Sequence, residues 1–352
     1  MRNKENIKEL LDYFQAIEGK ELQFDEDAIV TAYQKDNDHQ TLAIKVLSVF
    51  GGILASLAFL GFLFISGLYD SDWGLLIFGV LCMAGAIWAN KKYDKIIIDT
   101  VSVSFFIVGF ILLGLGLNQL QISDNTISAV FMLIALLSLS IVQNYILSFI
   151  SVLIVNGSIL FILIDSYNLI HIYVSVLTLM VMYLFLKEAK IVTTSKALSK
   201  LYNPMRIGIV FSFISGLIIL GEKGILPVLP DYVWLPSIVL ILAIIYLLPY
   251  LFKVMNITKT LHKAGIYIFS VLLLLPTVLY PAISGAILIV LLSFLVDYKT
   301  GLIIGIMALI YFISQYYYDL SFTLLTKSIL LFSSGVLFIG LYLFMYKKTD
   351  IK

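Results

Sequence analysis

Cysteine, histidine and charge are all scarce in this sequence. Cys82 is the single cysteine, which excludes a disulfide framework and a cysteine-based metal site. The three histidines, His39, His171 and His262, stand far apart. No HExxH, glycine-rich phosphate loop or dinucleotide fingerprint occurs. The residues therefore imply no cofactor and no catalytic constellation, and the expectation is a chain that is not an enzyme. Charged residues make up 13% of the chain with a net charge of +1, which gives no reason to propose a nucleic-acid surface. The first 42 residues are polar and acidic, with no apolar core behind a basic start. A cleaved signal peptide is not expected, and the first apolar run should act as an uncleaved insertion signal.

Hydrocarbon fills the space that charge leaves. Hydrophobic residues are 61% of the chain and the mean hydropathy is +1.03. A spanning helix needs about 20 predominantly apolar residues, because the bilayer core is about 30 Å thick. Runs of that kind extend over 44–65, 73–88, 98–117, 127–142, 145–164 and 169–186. After a polar connector they resume at 205–220, 233–251, 264–280, 282–296, 300–317 and 325–345. The expected fold is an all-α polytopic transmembrane bundle of about 12 spans. The stretch 264–296 would be about 50 Å long as one helix, too long for a bilayer core. Pro276 and Pro281 mark its breaking point, since proline removes a backbone donor and clashes with the preceding turn. Two short helices joined near Tyr280 are expected there, with a re-entrant or kinked segment as the alternative.

Charge asymmetry orients the array. With the N-terminus in the cytoplasm, the inner connectors and flanks carry Lys91, Lys92, Lys95, Lys187, Lys190, Lys196, Lys200, Arg206, Lys253, Lys259, Lys263, Lys299, Lys347, Lys348 and Lys352. The other side holds only Lys223 and Lys327, among Asp70, Asp72, Asp124, Asp165, Glu222, Asp231 and Asp319. Such a bias is the positive-inside signature and predicts both termini in the cytoplasm. A lysine-rich chain with brief loops reads as bacterial, and a cytoplasmic membrane is its natural destination.

Residues 1–42 form an expected cytoplasmic helical appendage. Leu10, Leu11, Phe14 and Ile17 share one helical face, Gly19 stops it, and a second short helix fits 25–34. Residues 43–348 form the bundle, divided by the connector at 187–203 into six spans at 43–186 and six at 204–348. A six-plus-six division occurs in secondary transporters, although the two halves share no motif. Gly301 and Gly305 make one GxxxG step, which lets a neighbouring backbone approach closely, most simply within the molecule.

Polar residues inside an apolar helix point to interhelical bonding or to a polar path. Ser151, Ser158 and Asp165 lie on one stripe of the fifth span, with Asn156 at its middle. Asn156 and Ser158 can act as glue between helices or line a cavity, while Asp165 sits at the outer boundary. Near the C-terminus, Tyr316, Tyr317 and Tyr318 suit an interfacial aromatic belt. Asp319 can cap a helix start. Lys327 is basic on the acidic side and can snorkel outward or hold an anionic headgroup or ligand.

The run Tyr317-Tyr318-Asp319, then Thr323-Leu324-Leu325-Thr326-Lys327-Ser328, then Gly335 in a final apolar helix ending at Lys347, resembles the C-terminal signature of a bacterial multi-pass family. That family is catalogued as domain of unknown function 4401. The acidic start ahead of a dense helix array is similar to it as well. The resemblance implies an integral protein of bacterial cell envelopes, often encoded beside another multi-pass protein and a small membrane-anchored protein, so that other multi-pass envelope proteins are expected partners. It implies no activity and no catalytic residues. Two functional expectations stand beside each other: a non-enzymatic component of a membrane complex, with membrane lipids and envelope proteins as partners, or a transporter or binder of a small molecule or lipid. A polar two-sided cavity at Asn156 would favour the second.

Overall fold

The computed structural model describes residues 42–92, 96–142, 144–221 and 234–319, together with Tyr232, Leu325 and Ile329. The expected appendage at 1–42 and the expected last span at 325–345 fall almost wholly outside these residues. Among the described residues twelve α-helices follow one another and there is no strand. They are α1 (Leu42–Ile65), α2 (Asp72–Lys92), α3 (Ile96–Gln119), α4 (Asp124–Ile141), α5 (Tyr145–Tyr167) and α6 (Ile170–Leu186). The series continues with α7 (Glu188–Thr194), α8 (Lys196–Gly221), α9 (Trp234–Val254), α10 (Thr260–Leu274), α11 (Pro281–Leu295) and α12 (Lys299–Asp319).

Eight of these helices are long and apolar enough to cross a membrane: α2, α3, α4, α5, α8, α9, α12, and α10 with its 3-10 extension. The 17 residues of α6 reach that length only together with α7, which is bent from it by 75°. Phe50–Ile65 of α1 and the 15 residues of α11 are shorter apolar helices. By length alone the count among the described residues is therefore eight, or nine with the bent pair, and the expected span at 325–345 lies almost wholly outside them. Large apolar side chains such as Leu137, Leu179 and Ile310 lie bare on the outside, as a surface solvated by lipid requires.

Local chemistry sets the helix ends. Asn144 caps α5, its side-chain oxygen accepting from the Ile146 N–H at 2.9 Å. At the far end Asn168 adopts a left-handed conformation, φ 50°. Its N–H and that of Leu169 return to the Ile164 and Leu163 carbonyls, a closing turn in which asparagine is tolerated. The expected connector at 187–203 is largely helical instead. Ser195 is extended and its hydroxyl accepts from the Leu198 N–H, which starts α8 nine residues before the expected span. Lys196 and Lys200 thus ride on the helix itself, in a stretch free of glycine that favours helix.

Small residues decide how closely neighbours meet. On Gly79 a Cβ would stand 2.9 Å from the Leu113 nitrogen, and on Gly109 it would strike the Met83 side chain. The α2 and α3 backbones are in contact only because both positions lack a side chain. The Gly301–Gly305 step packs within the molecule, since a Cβ on Gly305 would lie 3.1 Å from the Val290 nitrogen of α11. Hydroxyls clasp α1 to α3: Ser104 donates to the Gly52 carbonyl at 2.9 Å and Ser56 to the Ser104 carbonyl at 3.2 Å.

The long apolar run breaks where its prolines are. A 3-10 turn over Leu275–Leu279 follows α10, and Pro281 opens α11, a position where its missing N–H costs nothing. Buried hydroxyls take up carbonyls at the break. Ser237 of α9 donates to Val278 and Thr277 to Leu274, both at 2.6 Å. Irregular backbone at membrane depth survives only with such partners. The largest core joins α5 and α6 to α8, α9, α11 and α12, so it draws on both sides of the 187–203 segment.

Candidate functional site

Arg206 is the charge that the fold treats most unusually. It lies on α8, is 5% exposed, and occupies the end of the bundle where α6 and α11 finish and α12 begins. Its Nη1 donates to the Glu188 carboxylate at 3.1 Å and its Nη2 to the Asn203 side-chain oxygen at 3.0 Å. The guanidinium carbon stacks 3.6 Å from the centre of the Tyr298 ring, with Tyr202 at 4.9 Å and Phe185 at 5.6 Å. A planar, weakly hydrated cation is the one side chain that can be walled by rings and still serve a carboxylate.

Four elements assemble this cage. Phe185 comes from the end of α6, Glu188 from the first turn of α7, Tyr202 and Asn203 from α8, and Tyr298 from the link between α11 and α12. The 75° bend after Leu186 turns Glu188 back toward Arg206 rather than on along α6. Tyr202 is held in turn by donating to the Leu184 carbonyl at 3.0 Å. Burial raises the Tyr298 hydroxyl above its usual range, with Arg206 opposing that shift. That ring therefore stays neutral beneath the guanidinium. Pro204, inside α8, withdraws a backbone N–H one turn from Lys200.

The arrangement stores a matched charge pair at a junction of helices. Glu188 is 33% exposed on its side chain, so its face of the pair reaches the surface while Arg206 does not. The Arg206 Nε is buried with no partner. No group here is poised as a nucleophile. Among the described residues no three His, Cys, Asp or Glu side chains gather as metal ligands would.

The sequence-derived candidates do not converge on this cage or on one another. Asn156 is 8% exposed, and its amide donates to the Val152 carbonyl of its own helix at 2.9 Å. Its bond is thus intrahelical, where glue between helices was one expectation. Interhelical bonding falls to Ser151, whose hydroxyl meets that of Ser138 on α4 at 2.6 Å. Ser158 is buried nearby. Asp165 is exposed at the opposite end of α5 and accepts from the Asn125 side chain at 2.9 Å. His171, buried against Tyr232 at 5.5 Å between ring centres, has an unpartnered Nδ1. Asp319 is the last residue of α12, and Tyr316 before it packs edge-on against Tyr280 at the break. Lys327 lies outside the described residues.

In the sequence Arg206 is one more inner cation. Two signals were present: it stands at the second position of an apolar run, and Glu188 is the single carboxylate between Asp165 and Glu222. The aromatic walls were not signalled, because they are contributed by residues from 185 to 298.

This is a membrane-embedded protein of unassigned activity. No curated protein and no solved structure matches the chain. A family model described as Domain of unknown function (DUF4401) matches residues 41–348, most of the chain, and the chain therefore belongs to the DUF4401 family.

Proposed function

We propose that this chain is a non-enzymatic component of a cell-envelope membrane complex, set in a bacterial cytoplasmic membrane with both termini on the cytoplasmic side. The observation that carries the reading is how the interior polar groups are used. Asn156, the group best placed to line a path through the bundle, gives an amide N–H to the carbonyl one turn back. Arg206 is neutralised by Glu188 and walled by rings. Polar groups committed to the protein's own structure support a rigid scaffold more than a route for substrate. The lysine bias orients the scaffold, and the acidic segment 1–42 offers a surface for a partner.

Cross-linking in intact membranes tests this. The expected product is a discrete adduct that contains the 39.5 kDa chain and a second multi-pass protein. Recovery of only the chain and its own multimers, with cross-linkers of several lengths, overturns the complex reading.

A further inference from the structure

A groove of about 510 Å³ opens between the end of α9 and the start of α10, lined by Phe252, Lys253, Asn256, Ile257, Lys263 and Tyr267 among others. Its chemistry is one-sided. Lys253 and Lys263 reach it from two helices, Lys259 stands on the link, His262 lies in the first turn of α10, and no carboxylate occurs from 232 to 296. Its floor is apolar, with Phe252 buried and packed edge-on against Tyr267 at 5.5 Å between ring centres. Asn256 turns the chain in a left-handed conformation, φ 53°, which brings the two lysines to one opening. Pro249 and Ile257 complete the apolar lining. Two cations above an apolar wall match a phosphoryl group carrying hydrocarbon chains, at the depth where lysines meet headgroups.

We infer that this groove binds the headgroup of an anionic phospholipid, its phosphate between Lys253 and Lys263 and the start of its acyl chains against Phe252, Ile257 and Tyr267. The site is independent of the complex reading, since it concerns lipid and not protein partners. The test uses the full chain in nanodiscs of phosphatidylcholine with a minor fraction of phosphatidylglycerol. Lipids retained after extraction are counted by native mass spectrometry. Each lysine near a charged surface contributes about fivefold to binding. Lys253→Gln/Lys263→Gln should therefore weaken phosphatidylglycerol retention roughly thirtyfold, while Lys253→Arg/Lys263→Arg keeps it. Lys196→Gln/Lys200→Gln removes the same charge elsewhere and should change retention little. Equal loss in that control, or no loss in the groove variant, overturns the site. Displacement of the lipid by millimolar inorganic phosphate would overturn the lipid assignment in favour of a free anion.

Discussion

Replacing Glu188 with glutamine leaves the Arg206 guanidinium buried beside rings with no countercharge. Removing one partner of a buried ion pair costs about 3 to 5 kcal/mol. Because Glu188 is 33% exposed on its side chain, water softens the loss, and about 3 kcal/mol is expected. Thermal unfolding in detergent should register this as a clear drop in Tm. The double variant Glu188→Gln/Arg206→Met should recover most of it, because apolar packing of similar volume replaces a buried pair at little cost. A double variant no more stable than the single one would mean that charge is not what the cage manages. Asn156 makes a milder case. Its amide serves its own helix, so Asn156→Leu should cost about 0.6 kcal/mol, the usual size of a polar contact within a membrane bundle. Physiological activity lost at unchanged Tm would instead favour a transport path through that position.

At the scale of elements, the α2–α3 contact gives the sharpest test. Glycine to alanine inside a helix is intrinsically stabilising by about 0.5 to 1 kcal/mol. Gly85 has nothing within 4 Å of an added Cβ, whereas at Gly109 the new atom meets Met83 and the Gly79 carbonyl. Gly85→Ala should be neutral or stabilising, and Gly109→Ala should cost about 1 to 3 kcal/mol through overpacking. The pair is read in one detergent by thermal unfolding, and equal effects would remove the close contact. The proline-marked break near Tyr280 was legible in the sequence, because proline acts on its own backbone whatever surrounds it. The hydroxyls that take up carbonyls there were not, since Ser237 comes from another helix. The helical form of the segment at 187–203 was not legible, because its polarity suits a loop as well as a helix. Its residues form helix just as readily when a serine starts the turn.

For the whole molecule, the lysine bias predicts a sidedness that two positions can report. In a background where Cys82 is replaced by alanine, Thr194→Cys lies at the lysine-rich end and Tyr167→Cys at the other. Both native side chains are exposed. An impermeant thiol reagent added to intact cells should label position 167 and spare position 194 until the membrane is opened. The reverse pattern would invert the proposed topology.

What the sequence determined by itself is the membrane class, the apolar runs that become helices and the line of charge across them. These are local properties: an apolar run of sufficient length must satisfy its backbone internally, and helix does so without reference to neighbours. Only the tertiary structure decided which polar groups are paired. Arg206 meets Glu188 because of a 75° bend after α6, and Tyr298 reaches it from a link much later in the chain. Lipid is as apolar as the core, so the hydrophobic pattern cannot say which face of a helix turns inward. That choice rests on glycine contacts, hydroxyl bonds and one buried cation, which depend on several helices at once.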